Sequence, residues 1–262
     1  MELIYHDTYL PETTDLDMFG RLRPARLLEL VQTVSGRHAA ALGLGGDVLD
    51  SRGLAWVVVR QKIEISRMPG GGETLLFTTW PGRGMHGLFP RYMEIGTPDG
   101  ESLIRLCFLW VIMDRTSRVM IQPKNFGLDM PYADREPLLP LPRLPKQLPP
   151  AAETAEFTVP YSYIDVNGHM NNTRYLELAE NLIPAPREGL RLRSLLIEFT
   201  HELKLGETMH LASPATPLST PCTARAAPRT SSPSACNSDR GTVPLSDFLT
   251  GEHLCQISVY PS

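Results

Sequence analysis

The segment Asp165-Val166-Asn167-Gly168-His169-Met170-Asn171-Asn172 sets a carboxylate, an amide and an imidazole within five positions, directly before a helix-like stretch. His169 is the side chain best suited to exchange a proton near neutral pH. Asn167 offers both a donor and an acceptor, enough to position a water molecule or a carbonyl group. The segment has an earlier counterpart. Six of the fourteen residues from Asp165 to Leu178 are identical to those from Asp17 to Leu30, at an offset of 148. A second match follows in each half: Ile63, Glu64, Gly72, Glu73 and Thr74 recur as Ile197, Glu198, Gly206, Glu207 and Thr208, at an offset of 134. One structural unit is therefore used twice, with its segments in the same order. The differences locate the chemistry. Where the second copy has Asn167, His169 and Glu202, the first has Phe19, Arg21 and Met68. An aromatic, a fixed cation and a thioether cannot do acid-base work at these positions, so one active site per chain is expected, with the first copy a degenerate partner.

The elements that must carry these residues follow from pattern. Pro24 suits the first position of a helix, where its missing N–H costs nothing. Leu27, Val31, Val34, His38 and Leu42 then recur at three- and four-residue spacing, and Gly43 is a stop. Strand-like runs follow at 54–66, 73–80, 88–95 and 102–113, separated by turns at Gly70 to Gly72 and at Pro98-Asp99-Gly100. One helix followed by a meander of long antiparallel strands predicts an α+β unit in which a curved sheet wraps the helix. Residues 131–150 hold seven prolines in twenty, too many for a helix or a central strand, and predict an extended linker. The second unit is expected as a strand at 157–164, the loop 165–171, a helix at 172–183 and a strand at 191–203 that carries Glu202. Beyond Thr208 the repeat fails. Residues 212–244 contain six prolines and no aromatic residue, a composition unsuited to a sheet face. This bias fits a shifted reading frame in a GC-rich gene or a divergent natural tail, and only Leu254 to Tyr260 again reads as a strand.

Several function classes are excluded. A net charge of −4 argues against the strong basic field a nucleic-acid binder needs. No apolar run reaches the ~18 residues of a membrane span. The start MELIYHDTYL lacks the basic-then-apolar pattern of a secretory signal, which points to a cytoplasmic enzyme. Cys107 lies in an apolar run and reads as packing. No CxxC pair occurs, and position 205 is Leu where a zinc-protease motif built on His201 and Glu202 needs His, so no metal is expected. No other cofactor is expected: GxGxxG does not occur, which removes the common dinucleotide reading, and the absence of GxSxG removes the common serine-hydrolase reading.

DVNGHMNN with its following Tyr-Leu-Glu helix resembles the acyl-acyl carrier protein (acyl-ACP) thioesterase family, as do FGRLRP, WVVVRQKIEISRMPGGGET and LWVIMD in the first half. The likeness covers roughly residues 1–210. It implies two tandem hotdog domains. These would be an acyl-binding N-terminal domain at 1–128, a Pro-rich linker at 129–154 and a catalytic C-terminal domain at 155–211, followed by an atypical tail at 212–262. It also implies hydrolysis of fatty acyl-ACP to free acid and carrier, with Asn167, His169 and Glu202 catalytic and Asp165 organising the loop. The cysteine that some members place just after the glutamate is Leu203 here, so water must attack. Unpaired N–H groups of the helix near Asn171 and Asn172 would suit the developing oxyanion, although either residue equally fits a helix cap. Asp165 also fits a purely structural role, because Asp17 keeps it in the first copy. Arg21, Arg23 and Arg26 fit a docking face for an acidic carrier or an ordinary solvated surface. The acyl slot is expected in the first domain beneath the long helix. A hotdog hydrolase or dehydratase acting on a coenzyme A thioester and a non-catalytic acyl-binding module are the competing readings, and a homodimer stays open.

Overall fold

Helix α1 (Pro24–Ala41) starts at the expected proline and ends where Gly43 takes a left-handed φ of 71°. The computed structural model describes residues 2–143, 151–181, 194–199, 201–214, 223–225 and 254–256. α1 buries Leu27, Leu28, Val31 and Val34 against a sheet. That sheet consists of β1 (Tyr5–Tyr9), β2 (Leu54–Ile65), β3 (Leu75–Pro81), β4 (Phe89–Gly96) and β5 (Ser102–Asp114), joined by one further strand. The four long strands lie within about two residues of their expected bounds, because alternation and Gly/Pro turns mark both ends. The short helix α2 (Gly46–Asp50) was not expected from sequence; five residues are too few to show a helical period.

The sixth strand of that sheet is β7 (Ser194–Glu198), from the second half of the chain. The sheet order is β1-β3-β4-β5-β2-β7, antiparallel throughout its pairings. In the β2–β7 register Arg60 faces Glu198 and Glu64 faces Ser194. Glu198 is the repeat copy of Glu64 and Ser194 that of Arg60, so the pairing is self-complementary, as across a two-fold axis. Two copies in one chain thus meet as the subunits of a symmetric dimer would. Arg60 Nε also reaches Glu198 Oε1 at 2.5 Å across this seam.

The second unit differs from expectation in its edges. β6 (Ala151–Thr158) begins inside the expected linker and ends near the start of the expected strand, and residues 161–163 form a 3-10 turn. It pairs with β8 (Thr208–Pro214), which runs past residue 211. Helix α3 (Asn172–Asn181) follows the loop as expected. Residues 182 and 183 lie outside the described residues. Strand β7 ends at Glu198, so Glu202 sits in irregular backbone beyond it rather than in a strand. Of the tail, β9 (Thr223–Arg225) lies within the span expected to hold no strand, and pairs with β10 (Leu254–Gln256). The other tail residues from 215 on lie outside the described residues.

Residues 129–143 form no helix or strand, in line with their prolines. They do not act as a free spacer. Ala133 and Leu139 are buried against Trp80, Tyr92 and Cys107, and Arg135 stacks over the Trp80 ring. Cys107 is fully buried, and burial pushes its thiol up to about 12, as a packing residue requires.

Candidate active site

Asp165 organises its loop through the backbone. Its Oδ1 accepts the Asn167 N–H at 2.8 Å, its C=O accepts the Gly168 N–H at 3.0 Å, and its N–H donates to the His169 C=O at 2.9 Å. Gly168 takes a φ of 79°, where a Cβ is disfavoured. The turn brings Ile164 and Met170 into an antiparallel bridge, and the Met170 N–H donates to the Leu203 C=O at 2.7 Å. This last bond ties the loop to the segment that carries Glu202. Sequence-distant groups therefore meet through backbone pairing.

His169 Nε2 lies 3.2 Å from Glu202 Oε2. The imidazole is largely enclosed, and burial, followed by the nearby Arg118 cation, holds its pKa below the usual 6.5. A neutral imidazole facing a carboxylate places its proton on Nε2 and its lone pair on Nδ1. Arg118 also meets Glu202 Oε2. With two donors on its carboxylate, Glu202 is placed to hold His169 rather than to take a proton itself. Asn167 is exposed, and its Oδ1 accepts from Arg115 Nη2 at 3.3 Å. Arg115 is anchored in turn by Asp50 Oδ1 at 2.9 Å and the Leu54 carbonyl at 3.2 Å.

Arg115 and Arg118, which touch the candidate residues Asn167 and Glu202, were missed by sequence reasoning. Both sit in the turn after β5, where Asp114 Oδ1 accepts N–H groups from Thr116 and Ser117. Arg118 adopts a φ of 60°, a left-handed conformation that costs a non-glycine residue about 1–2 kcal/mol. Asp-Arg-Thr-Ser-Arg reads as a turn with flanking cations. Its only pointer to the site is the two-fold arrangement of the copies, which brings this end of the first copy to the loop of the second.

The structure separates Asn171 from Asn172. Asn171 Oδ1 accepts both the Thr173 N–H and the Thr173 hydroxyl at 2.9 Å, capping α3, and its own N–H donates to the Tyr163 carbonyl at 2.8 Å. Its backbone donor is thus already used, which removes it as an oxyanion donor. Asn172 is the first residue of α3, at the position Pro24 holds in α1. The three arginines expected at a docking face are also unlike one another. Arg26 is held by Asp15 and Glu29 at 2.9 Å each, and Arg21 by Asp17 at 2.8 Å. Arg23 is the exposed one, donating to the Thr14 carbonyl at 2.5 Å.

An acyl-ACP thioesterase N-terminal domain is matched by residues 2–124, and the C-terminal domain of the same family by residues 147–232. The chain belongs to the acyl-ACP thioesterase family. The match to the C-terminal domain extends past residue 210, so the family likeness does not stop where the internal repeat does. Similar to this thioesterase family member are a chloroplastic acyl-[acyl-carrier-protein] hydrolase of Cuphea viscosissima, 28% identical over 68% of this chain and 47% of its own length, and a chloroplastic palmitoyl-acyl carrier protein thioesterase of Cuphea hookeriana, 26% identical over 66% and 45%. The chain spans about half the length of these curated relatives. Its fold is that of the 12:0-ACP thioesterase from Umbellularia californica (TM-score 0.76, 17% identity, covering 100% of this chain and 99% of that one). The acyl-ACP thioesterase from Bacteroides thetaiotaomicron is comparably similar (TM-score 0.72, 20% identity, 99% and 98%). This is the tandem hotdog architecture. No helix among the described residues is long and apolar enough to cross a membrane.

A cavity of about 180 Å³ lies against α1, walled by Leu42, Leu44, Trp56, Phe89, Trp110 and Met130 among others. Gln32 of α1 lines both this cavity and a polar cleft bordered by Asp165, Asn171 and Arg174. Helix α2 and the start of β2 likewise touch both regions, through Gly46 and Trp56 on the cavity side and through Asp50 and Leu54 beneath Arg115.

Proposed function

We propose that this chain hydrolyses fatty acyl-ACP thioesters by direct attack of water, in one site formed by Asn167, His169 and Glu202. The observation that carries the reading is the His169–Glu202 contact at 3.2 Å. His169 takes a proton from water through the nitrogen that does not face Glu202, and the hydroxide adds to the thioester carbonyl carbon. Asn167 orients the water or the carbonyl, and the Asn172 N–H at the start of α3 meets the developing negative oxygen. The tetrahedral intermediate then expels the thiolate, which recovers the proton from His169. Free fatty acid and carrier thiol result. Leu203, 5% exposed, offers no nucleophile beside Glu202, in keeping with attack by water.

An acyl carrier protein as partner and a cytoplasmic setting belong to the same proposal, the carrier because relatives of this family are named for it. The first copy supplies the acyl cavity and the second the catalytic loop, so residues 1–128 bind and the unit after the linker reacts. Thiol release from acyl-ACP and from acyl-coenzyme A, each carrying the same chain, tests the reading. Turnover that favours the carrier protein and disappears in His169→Ala is expected. Turnover on neither substrate would leave an acyl-binding module, and preference for coenzyme A would reassign the carrier.

A further inference from the structure

Gln32, half-buried on α1, is the residue shared by the apolar cavity and the polar cleft. The cleft runs between α1 and α3, and Asp165 and Asn171 on its wall are the two ends of the loop that carries His169. Most of its other polar side chains are committed to partners. Arg174 meets Glu177 at 2.8 Å and Glu29 at 3.5 Å, Asn171 caps α3 through Thr173, and the Thr33 hydroxyl donates to the Glu29 carbonyl at 2.9 Å. The side-chain amide of Gln32 has no hydrogen-bond partner among the described residues.

A thioester substrate divides in the same way. Its acyl chain is apolar, the arm on the sulfur side carries amide groups, and the carbonyl stands between them. With the chain in the cavity and the arm in the cleft, the carbonyl falls at the junction, beside Gln32. A carbonyl oxygen only accepts hydrogen bonds, and the NH2 of a glutamine donates them. Gln32 is also a position where the copies disagree, since at the offset of 148 the second copy has Glu180. An ionised carboxyl has no proton to donate and opposes negative charge on a nearby oxygen. The helix that borders the catalytic loop from the other copy thus carries the residue suited to a carbonyl.

Resting on the thioesterase reading above, we infer that Gln32 is a further substrate-binding residue, its side-chain NH2 donating to the thioester carbonyl oxygen at the boundary of cavity and cleft. The carbonyl then has donors from both copies, Gln32 on α1 and the Asn172 N–H at the start of α3. A donor already aimed at this oxygen strengthens its bond as negative charge develops there, so Gln32 contributes to binding and more to turnover.

The test uses the full chain and two acyl-pantetheine analogues of one chain length, so that binding is read without turnover. In one a methylene replaces the sulfur and the carbonyl stays; in the other a methylene replaces the carbonyl and the sulfur stays. Gln32→Met keeps the length of the side chain and its helix propensity while removing the donor. By calorimetry it should weaken the carbonyl analogue by about fivefold and leave the thioether within about twofold, a split that a merely structural role does not produce. Hydrolysis of the matching thioester should fall about tenfold or more, and further in Gln32→Glu, which sets a negative charge against the oxygen. Equal weakening of both analogues, or none, overturns the inference. Hydrolysis by the wild type separates this from the parent reading. A chain that hydrolyses the thioester but shows no split keeps the thioesterase proposal and loses Gln32, whereas the split without hydrolysis sinks the thioesterase proposal and leaves the carbonyl assignment standing.

Discussion

The two loops of this chain have the same backbone and opposite outcomes. Asp17 Oδ1 accepts N–H groups from Phe19 and Arg21, its N–H meets the Arg21 C=O at 2.7 Å, Gly20 turns at a φ of 72°, and the Leu22 N–H donates to the Pro69 carbonyl at 2.8 Å. Asp165, Gly168, Met170 and Leu203 repeat this frame. In the first copy Arg21 folds back onto Asp17 at 2.8 Å and over the Phe19 ring, closing the charge on itself. In the second, His169 turns to Glu202, and Asn167 and Glu202 are met from outside by Arg115 and Arg118. The turn is thus scaffold. What sets the second copy apart is the side chains laid on it and the pair of arginines brought in by the other copy.

If that contrast is right, His169→Ala should lower single-turnover hydrolysis of a small acyl thioester by ~10²–10⁴-fold, the usual weight of general acid-base catalysis. Arg21→Ala should leave the rate within about twofold. Equal losses would mean that both loops react. A sharper version grafts the chemistry: Phe19→Asn, Arg21→His and Met68→Glu together, in the His169→Ala background. No activity should return, since the repeat ends before any counterpart of Arg115 and Arg118. Recovered turnover would show that the loop suffices alone.

The helix starts give the next difference. Pro24 has no N–H at the first position of α1, whereas Asn172 has one at the same position of α3. Asn172→Pro should keep the helix, because proline suits the first helical position. If the Asn172 N–H holds the oxyanion, kcat should still fall by ~10²-fold. Unchanged kcat with intact helical circular dichroism would remove Asn172 from the mechanism.

Much of this was legible in the sequence because the duplication compares each residue with its own copy. Asn167, His169 and Glu202 stood out as the positions where copies disagree, and the structure brings His169 and Glu202 into contact. The strands of the first copy were legible because half-buried strands alternate. What was hidden is contact between copies. Neither the β2–β7 pairing nor the reach of Arg115 to Asn167 leaves a local pattern, since both depend on the two-fold relation of distant segments. Glu202 was misplaced onto a strand because Ile197 and Phe199 alternate up to it, while β7 stops at Glu198.

Arg118 offers a smaller, more diagnostic effect. As a cation beside His169 it lowers the imidazole pKa, and a general base must be deprotonated to work. The acid limb of kcat/KM should therefore fall below pH 6.5 in the wild type. Arg118→Met removes the repulsion, so His169 should titrate higher and the limb move upward in pH, with kcat at pH 8 reduced about tenfold as Glu202 loses a donor. A limb that stays in place while kcat drops would make Arg118 a structural support only.

The smallest effect belongs to Asn171, and it tests whether loop scaffold and chemistry separate. Its side chain caps α3, whereas Arg23, at the matching position of α1, makes no side-chain cap and relies on Pro24. Asn171→Ala should cost about 1 kcal/mol in urea unfolding, the usual value of a lost cap, and Asn171→Ser should restore most of it. Because the Asn171 N–H already serves the Tyr163 carbonyl, neither change removes a donor from the reacting oxygen. The kcat of the folded Asn171→Ala protein should then stay within about threefold of wild type, with the pH profile unmoved. A loss of kcat as deep as that of Asn172→Pro, without rescue by serine, would show that the amide side chain itself takes part, and that cap and catalyst are one group in the second copy.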